Sequence, residues 1–178
     1  MNPFARILVP VDFSAHSAGA TRVATDLARR YDATLTLMHV YDPLAYALPD
    51  GFTPFPPPES ERLFEALEDQ LAGARAHALE AGAPRVATKL LQGTVAAQIT
   101  EYAALGDFDL VVMGTHGRTG LQHLVLGSIA ESVVRTAPCP VLSVKRPPLT
   151  QSRDAGGAAQ KWDGARDRDG TAGRAREA

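Results

Sequence analysis

Short apolar segments alternate with segments of helical periodicity along most of this chain. An apolar run of about four to eight residues is typical of a parallel strand that is buried on both faces. Strands that alternate with helices predict a parallel sheet with helices on both faces and right-handed crossovers. The predicted strands are residues 7–11, 33–40, 86–91, 110–113 and 141–144.

The helices between these strands are predicted from apolar positions at 3.6-residue spacing. Ser14 is the expected N-cap of the first helix, which runs to Tyr31. The other helices are predicted at 60–81, 94–105 and 128–136. Six of the thirteen prolines fall in 43–58, so we expect a long surface loop there, neither helix nor central strand.

The composition is that of a globular domain followed by a tail. Of 178 residues, 45% are hydrophobic and 21% are charged, which predicts one domain, 1–148, with a substantial core. From residue 150 onward there are five glycines and Trp162 is the one large apolar residue. We therefore expect 149–178 to be a disordered tail. The alternative is that Trp162 anchors the tail to a partner.

Charge and apolar content also limit the partners. The net charge is −2 and there is no long basic block, so nucleic acid is not an expected partner. No apolar run has the length of a signal-peptide core or a transmembrane helix, so we expect a cytoplasmic protein without a membrane partner. The single cysteine, Cys139, is expected to be buried and reduced.

The stretch from Gly114 to Ile129 predicts an anion site. It follows the fourth predicted strand and leads into the fourth predicted helix, with glycines at 114, 117 and 127 and Ser128 after the last. Glycine lets the backbone approach a ligand closely. Free N–H groups and roughly half a unit of positive charge at a helix N-terminus favour phosphate.

The spacing Gly-x2-Gly-x9-Gly-Ser resembles the ATP-binding signature of the universal stress protein family. Three further segments are similar to that family: 10–14 (PVDFS), 39–40 (HV) and 137–142 (APCPVL). The resemblance covers about 3–146. It implies a Rossmann-like α/β fold of the adenine nucleotide alpha hydrolase type, with five parallel strands in the order 3-2-1-4-5 and four helices.

The resemblance also implies a function, a cofactor and an assembly. The expected function is that of a nucleotide-responsive regulator in the stress response. The expected cofactor is ATP, with Mg²⁺ or Mn²⁺ held mainly by phosphate oxygens and water. The expected assembly is a homodimer formed through the last strand, Val141 to Val144, because an exposed sheet edge can pair across a two-fold axis.

Candidate residues for the nucleotide fall into two groups, which the strand order brings to one crevice. The adenosine group is Pro10, Asp12, Val40 and Met113. The phosphate group is Gly114, His116, Gly117, Arg118, Gly127, Ser128 and Ile129.

Several of these residues also have a local interpretation. Asp12 is able to form an Asx-type turn at the following helix, and Val40 looks like a core residue. Ser128 with Glu131 matches a capping box, so the Ser128 hydroxyl is expected to cap the helix while its N–H binds phosphate. Arg118 is equally consistent with a solvated loop residue, and for His116 a polar loop residue is the preferred interpretation.

Other kinds of site fit the sequence less well. No histidine or cysteine spacing indicates zinc. Gly127-Ser128 lacks the lysine of a Walker A loop, and no dinucleotide fingerprint follows the first strand. An ATPase remains the second hypothesis, with slow or absent hydrolysis because no lysine or general base stands out. A nucleotide-free dimerisation module is the third.

Overall fold

The computed structural model describes residues 3–42, 57–115 and 126–145, with the side chains of 57–60 excepted. Strands and helices alternate throughout these ranges. In chain order they are β1 (Arg6–Pro10), α1 (Ala15–Tyr31), β2 (Thr34–Tyr41), α2 (Pro57–Glu80), β3 (Arg85–Gln92), α3 (Val95–Leu105), β4 (Leu110–Gly114), α4 (Ser128–Thr136) and β5 (Val141–Val144).

The five strands form one parallel sheet in the order β3-β2-β1-β4-β5. This confirms the predicted fold class, five-stranded order and four helices. β1 is central, with β2 on one side and β4 on the other. After β1, the chain therefore first adds β2 and β3 on one side of the sheet and then adds β4 and β5 on the other side.

Each face of the sheet carries its own core, because successive strand residues point to opposite faces. On one face, Ile7 and Val9 of β1 pack with alanines of α1 and with Leu71 of α2. On the other face, Leu8 packs with residues of α3 and α4. Ala20, Ala24 and Ala28, one turn apart on α1, are fully buried, so this helix lies close against the sheet.

The predicted bounds are correct for α1, α4 and β5 and differ by one or a few residues elsewhere. The largest difference is at α2, which begins at Pro57, so the prediction that 43–58 contains no helix is wrong at its last two residues. Proline is tolerated at the first helical positions, where its missing N–H has no partner to lose. The remainder of that predicted loop and the predicted tail, 149–178, lie outside the described residues.

The termini of α1 follow the sequence rules. The Ser14 hydroxyl accepts a hydrogen bond from the Ser17 N–H at 3.3 Å, which confirms Ser14 as the N-cap. Arg29 and Arg30 lie in the last turn, and Asp32 ends the helix in the left-handed conformation, with φ of 50°. In the described ranges, no helix has both the length and the apolar character that crossing a bilayer requires.

Candidate functional site

The order reversal lies between β1 and β4, at the carboxyl ends of these neighbouring strands. Ile7 pairs with Leu110 and Leu8 with Val111. Continued by three residues, this register sets Val11 level with Gly114. Ligands of open parallel sheets bind in the crevice beyond such a reversal. The segments that follow β1 and β4 are therefore the expected location of a ligand-binding site.

After β1, the chain makes a tight turn held by a carboxylate. Asp12 Oδ1 accepts a hydrogen bond from the Ser14 N–H at 3.0 Å. This is the Asx-type turn of the local interpretation. Asp12 and Ser14 thus both serve the start of α1, the first through its carboxylate and the second through its hydroxyl.

Phe13, between them, adopts a left-handed backbone conformation with φ of 62°. For a bulky residue other than glycine this conformation costs on the order of 1–3 kcal/mol and tends to occur at functional sites. The Phe13 ring lies against the His39 ring, with centroids 4.7 Å apart and planes tilted by 36°. Sequence reasoning missed the left-handed conformation of Phe13, because nothing in the residue type marks a phenylalanine with positive φ.

His39 is a buried polar side chain in the apolar strand β2, with 7% of its surface exposed. Its Nδ1 lies 2.7 Å from the carbonyl oxygen of Val11. Because a carbonyl only accepts, the imidazole N–H at Nδ1 is the donor. Val40, the next residue, is buried with 8% exposed and belongs to the core on the α3 and α4 face. A histidine inside an apolar run was the available signal for the His39 contact.

Two main-chain hydrogen bonds join the end of β4 to β5 and to the residue before α4. The Thr115 N–H donates to the Val144 carbonyl at 3.2 Å, and the Gly127 N–H donates to the Thr115 carbonyl at 2.8 Å. Thr115 is buried, with 3% exposed. The start of α4 is therefore held directly beside the carboxyl end of β4. Thr115 was not among the predicted site residues.

The N-terminus of α4 differs from the predicted capping box. Gly127 is the N-cap, with φ of −72° and ψ of 154°, and its carbonyl accepts from the Glu131 N–H at 2.8 Å. Ser128 is therefore the first helical residue and not the cap, so the capping box is wrong. The N–H groups of Ser128, Ile129 and Ala130 have no acceptor within the helix. Ser128 and Ile129 are exposed, whereas Ala130 is buried with 3% of its surface exposed.

The other predicted site residues are placed as follows. Pro10 ends β1, half-buried and opposite Met38, and Gly114 ends β4. Met113 is buried in the same core as Val40. His116, Gly117 and Arg118 lie outside the described residues. Within the ranges that the structure covers, no group of three or more histidine, cysteine or acidic side chains is placed to hold a metal ion.

Cys139 lies between α4 and β5 as a free thiol and is half-buried, so the expectation that it is buried is wrong. Burial raises the pKa of the Cys139 thiol above its usual value. The Asp109 carboxylate raises it further, and a hydrogen bond with the Val111 backbone opposes both effects. The protonated form is therefore favoured, which makes this thiol a poor nucleophile at neutral pH.

The strand order and the position of α4 define a doubly wound parallel α/β protein with a helix N-terminus at the order reversal. The chain belongs to the universal stress protein family, whose sequence model matches residues 3–145. It is 36% identical over 148 residues to a universal stress protein of Methanocaldococcus jannaschii, covering 82% of this chain and 85% of that one. The structure of the universal stress protein UspA from Lactobacillus plantarum is similar at a TM-score of 0.68 and 30% identity, covering 79% of this chain and 97% of that one.

Two more distant structures contain adenine nucleotides. One is a universal stress protein in complex with cAMP, at a TM-score of 0.61 and 24% identity, covering 80% of this chain and 97% of that one. The other is the universal stress protein from Archaeoglobus fulgidus in complex with dAMP, at a TM-score of 0.56 and 22% identity, covering 80% of this chain and 98% of that one. At these identities the likeness shows the fold that the proteins share.

Proposed function

We propose that this universal stress protein binds ATP in the crevice between β1 and β4 and acts as a nucleotide-responsive regulator in the stress response. The main supporting observation is the position of the α4 N-terminus, which the bond from Gly127 to Thr115 holds at the end of β4. Phosphate is the ligand that such a helix N-terminus favours, through its N–H groups and its dipole.

In this proposal the phosphates bind the N–H groups of Ser128 and Ile129. The stretch from Gly114 to Ile129 also includes His116, Gly117 and Arg118, which are proposed to lie along the phosphates. Glu131 lies in the first turn of α4, where its charge opposes that of a phosphate. Arg135 offsets this charge, since its guanidinium lies 3.9 Å from the Glu131 carboxylate. Two exposed side chains at this distance interact weakly, so the offset is small.

The adenosine end is proposed to lie over Pro10, Asp12, Val40, Met113 and Gly114. The carboxylate of Asp12 offers acceptors to the ribose hydroxyls or the adenine amino group. The fold itself accommodates this class of ligand, because two proteins that share it were solved with cAMP and dAMP. Mg²⁺ or Mn²⁺ is proposed to arrive with ATP, held by phosphate oxygens and water.

We further propose that two copies pair through β5. This strand lies at the edge of the sheet and has four residues, Val141–Val144, of which Leu142 and Ser143 are exposed. An edge strand offers a row of main-chain donors and acceptors to a second strand. Pairing across a two-fold axis satisfies the edges of both copies at once.

The substitution Gly127→Val tests the nucleotide site. Valine readily adopts the extended backbone of Gly127, so α4 should still form, but its side chain would occupy the space beside the phosphate-binding N–H groups. We expect ATP affinity, measured by isothermal titration calorimetry, to fall by a factor of about 100 or more, or about 2.7 kcal/mol. Native mass spectrometry should identify the co-purifying nucleotide and show a dimer for both proteins.

The control is Gly73→Val in α2, where an added Cβ meets no atom within 4 Å. We expect this variant to bind ATP as the wild type does. If Gly127→Val kept the wild-type affinity for ATP, the phosphate site proposed here would be wrong.

A further inference from the structure

β2 extends beyond β1 at the carboxyl end of the sheet. The last residue of β1, Pro10, pairs with Met38, whereas β2 continues to Tyr41. One more ladder bond follows, from the Val11 N–H to the Met38 carbonyl at 2.8 Å. The two strands stop pairing at this step, although β2 and β3 stay paired as far as Tyr41 and Gln92.

His39 takes the acceptor with which the pairing would continue. In a parallel ladder, a residue donates from its N–H to the carbonyl of one residue on the neighbouring strand. Its own carbonyl then accepts from the N–H two positions further along that neighbouring strand. The Val11 carbonyl would therefore accept from the Val40 N–H. Instead, the His39 imidazole donates to that oxygen from Nδ1 at 2.7 Å, in a buried position.

The surrounding contacts hold the imidazole and the turn together. The Phe13 ring packs on the His39 ring, and the left-handed conformation of Phe13 turns the chain away from β2. Asp12, between Val11 and Phe13, is fixed by its bond to the Ser14 N–H. One buried hydrogen bond thus joins the strand that carries Val40 to the turn that carries Asp12.

We infer that His39 is a positioning residue for the adenosine end of the site. By occupying the Val11 carbonyl, it ends the pairing of β1 with β2 and keeps the Val40 N–H available for an acceptor nitrogen of the adenine ring. The ligand in this inference rests on the proposed function, whereas the arrangement of hydrogen bonds does not. His39 acts through Val11 and Val40 and does not itself touch the nucleotide.

The test removes the donor and follows the Val40 amide. In His39→Val, the Val11 carbonyl accepts the Val40 N–H, so hydrogen exchange at Val40 in the nucleotide-free protein slows by about tenfold or more, a shift of about 1.4 kcal/mol. Affinities for ATP, AMP and adenosine fall by a common factor of about ten, because the lost contact is to the base. His39→Phe, which also lacks the donor, gives the same result with a ring kept against Phe13.

Two comparison variants separate positioning from packing. In His39→Asn the side-chain amide nitrogen reaches the place of Nδ1, so Val40 exchange and adenosine affinity return toward wild-type values. His77→Val changes an exposed histidine on α2 and leaves both quantities unchanged, since histidine and valine have similar helix propensities.

The outcomes distinguish the inference from the proposed function. If the wild type binds ATP, but His39→Val and His39→Phe bind it equally well or leave Val40 exchange unslowed, the inference is wrong and the proposed function stands. A general rise in hydrogen exchange along β2 in these variants would mean that His39 only stabilises the fold. That result would also overturn the inference. Wild-type protein that binds none of the three ligands would overturn the proposed function and, with it, the role toward adenine.

Discussion

At the amino end of the sheet, side chains connect the segments where strands begin. At the carboxyl end, by contrast, the turns are held by main-chain hydrogen bonds and by short polar side chains that cap helices. Asp109, just before β4, accepts from the N–H groups of Ala5 and Arg6 at 2.8 Å each. Its own N–H donates to the Arg6 carbonyl at 2.9 Å. A single aspartate therefore joins β4 to the start of β1 by three bonds.

The side chain of Arg85 makes a similar connection at the start of β3. Arg85, at the start of β3, donates to the Thr34 hydroxyl at 3.3 Å and to the Asp32 carbonyl. Its guanidinium also lies 3.2 Å from the Asp32 carboxylate. These contacts connect β3 to the turn between α1 and β2. At the amino end, the side chains of Asp109 and Arg85 thus connect neighbouring segments by bonds that include main-chain groups.

The carboxyl end is built from groups that a ligand is able to use. Asp12 and Ser14 cap α1, Phe13 has a left-handed backbone, and Gly127 begins α4 without a side chain. The first N–H groups of α4 have no acceptor within the helix. The difference teaches that side-chain contacts secure one end of this sheet, while the other end is the one at which we propose that nucleotide binds. Substitutions at the two ends should therefore separate stability from affinity.

The largest expected effect on stability is that of Asp109→Ala at the amino end. It removes a charged acceptor from two main-chain donors, and we expect the free energy of unfolding to fall by about 2 kcal/mol. ATP affinity should not change, because the nucleotide is proposed to bind at the opposite end. Urea unfolding and calorimetric titration measure the two quantities. Asp26→Ala, an exposed aspartate paired with Arg29 at 2.8 Å, should change stability by only about 0.5 kcal/mol.

Asp12→Asn is expected to have a smaller effect, and this effect is on ATP affinity and not on stability. The asparagine Oδ1 still accepts from the Ser14 N–H, so the turn persists and stability should change by less than about 0.5 kcal/mol. A neutral amide binds ribose or adenine donors less strongly than a carboxylate, so ATP affinity should fall about tenfold. Asp26→Asn is the control for both measurements. If Asp12→Asn destabilised the fold as much as Asp109→Ala, the contrast between the two ends would fail.

The smallest effect concerns Cys139, which adjoins Asp109 and Val111 near the amino end. The pKa of its thiol is raised in the folded state, mainly by burial and then by the Asp109 carboxylate. The neutral thiol therefore contributes stability below the ordinary thiol pKa, and this contribution is lost as the pH rises through the raised value. Unfolding free energies measured from neutral to alkaline pH should decline slightly less in Cys139→Ser. Equal declines would show that the thiol does not contribute.

The sequence predicted the elements of this fold better than the details of its site. Apolar runs and helical spacing located all five strands, and the change from Gly127 to an amphipathic segment located α4 with its observed bounds. The strand order came from the family resemblance, because alternation alone permits several orders. α2 begins earlier than predicted because a proline, which breaks a helix inside, is accepted at its start.

The details that escaped prediction depend on contacts between distant residues. The left-handed Phe13 is stabilised by a ring 26 positions away in the chain, at His39, and local sequence carries no record of that contact. The Gly127 N–H finds its acceptor at Thr115, and the cap is Gly127 and not Ser128. Such arrangements follow from tertiary structure, whereas patterning reports only which face of an element is apolar.

The opposite borders of the sheet are not equivalent. On the edge strand β3, the Val86 carbonyl accepts a hydrogen bond from the Arg75 guanidinium of α2 at 2.9 Å. A molecule with two receptive borders can recruit neighbours without limit and grow into a filament, whereas one receptive border is consumed by a single partner. Arg75 thus engages one carbonyl of the edge strand β3 from within the molecule. In the proposed assembly, this favours a closed pair formed through β5 over continued growth through both borders.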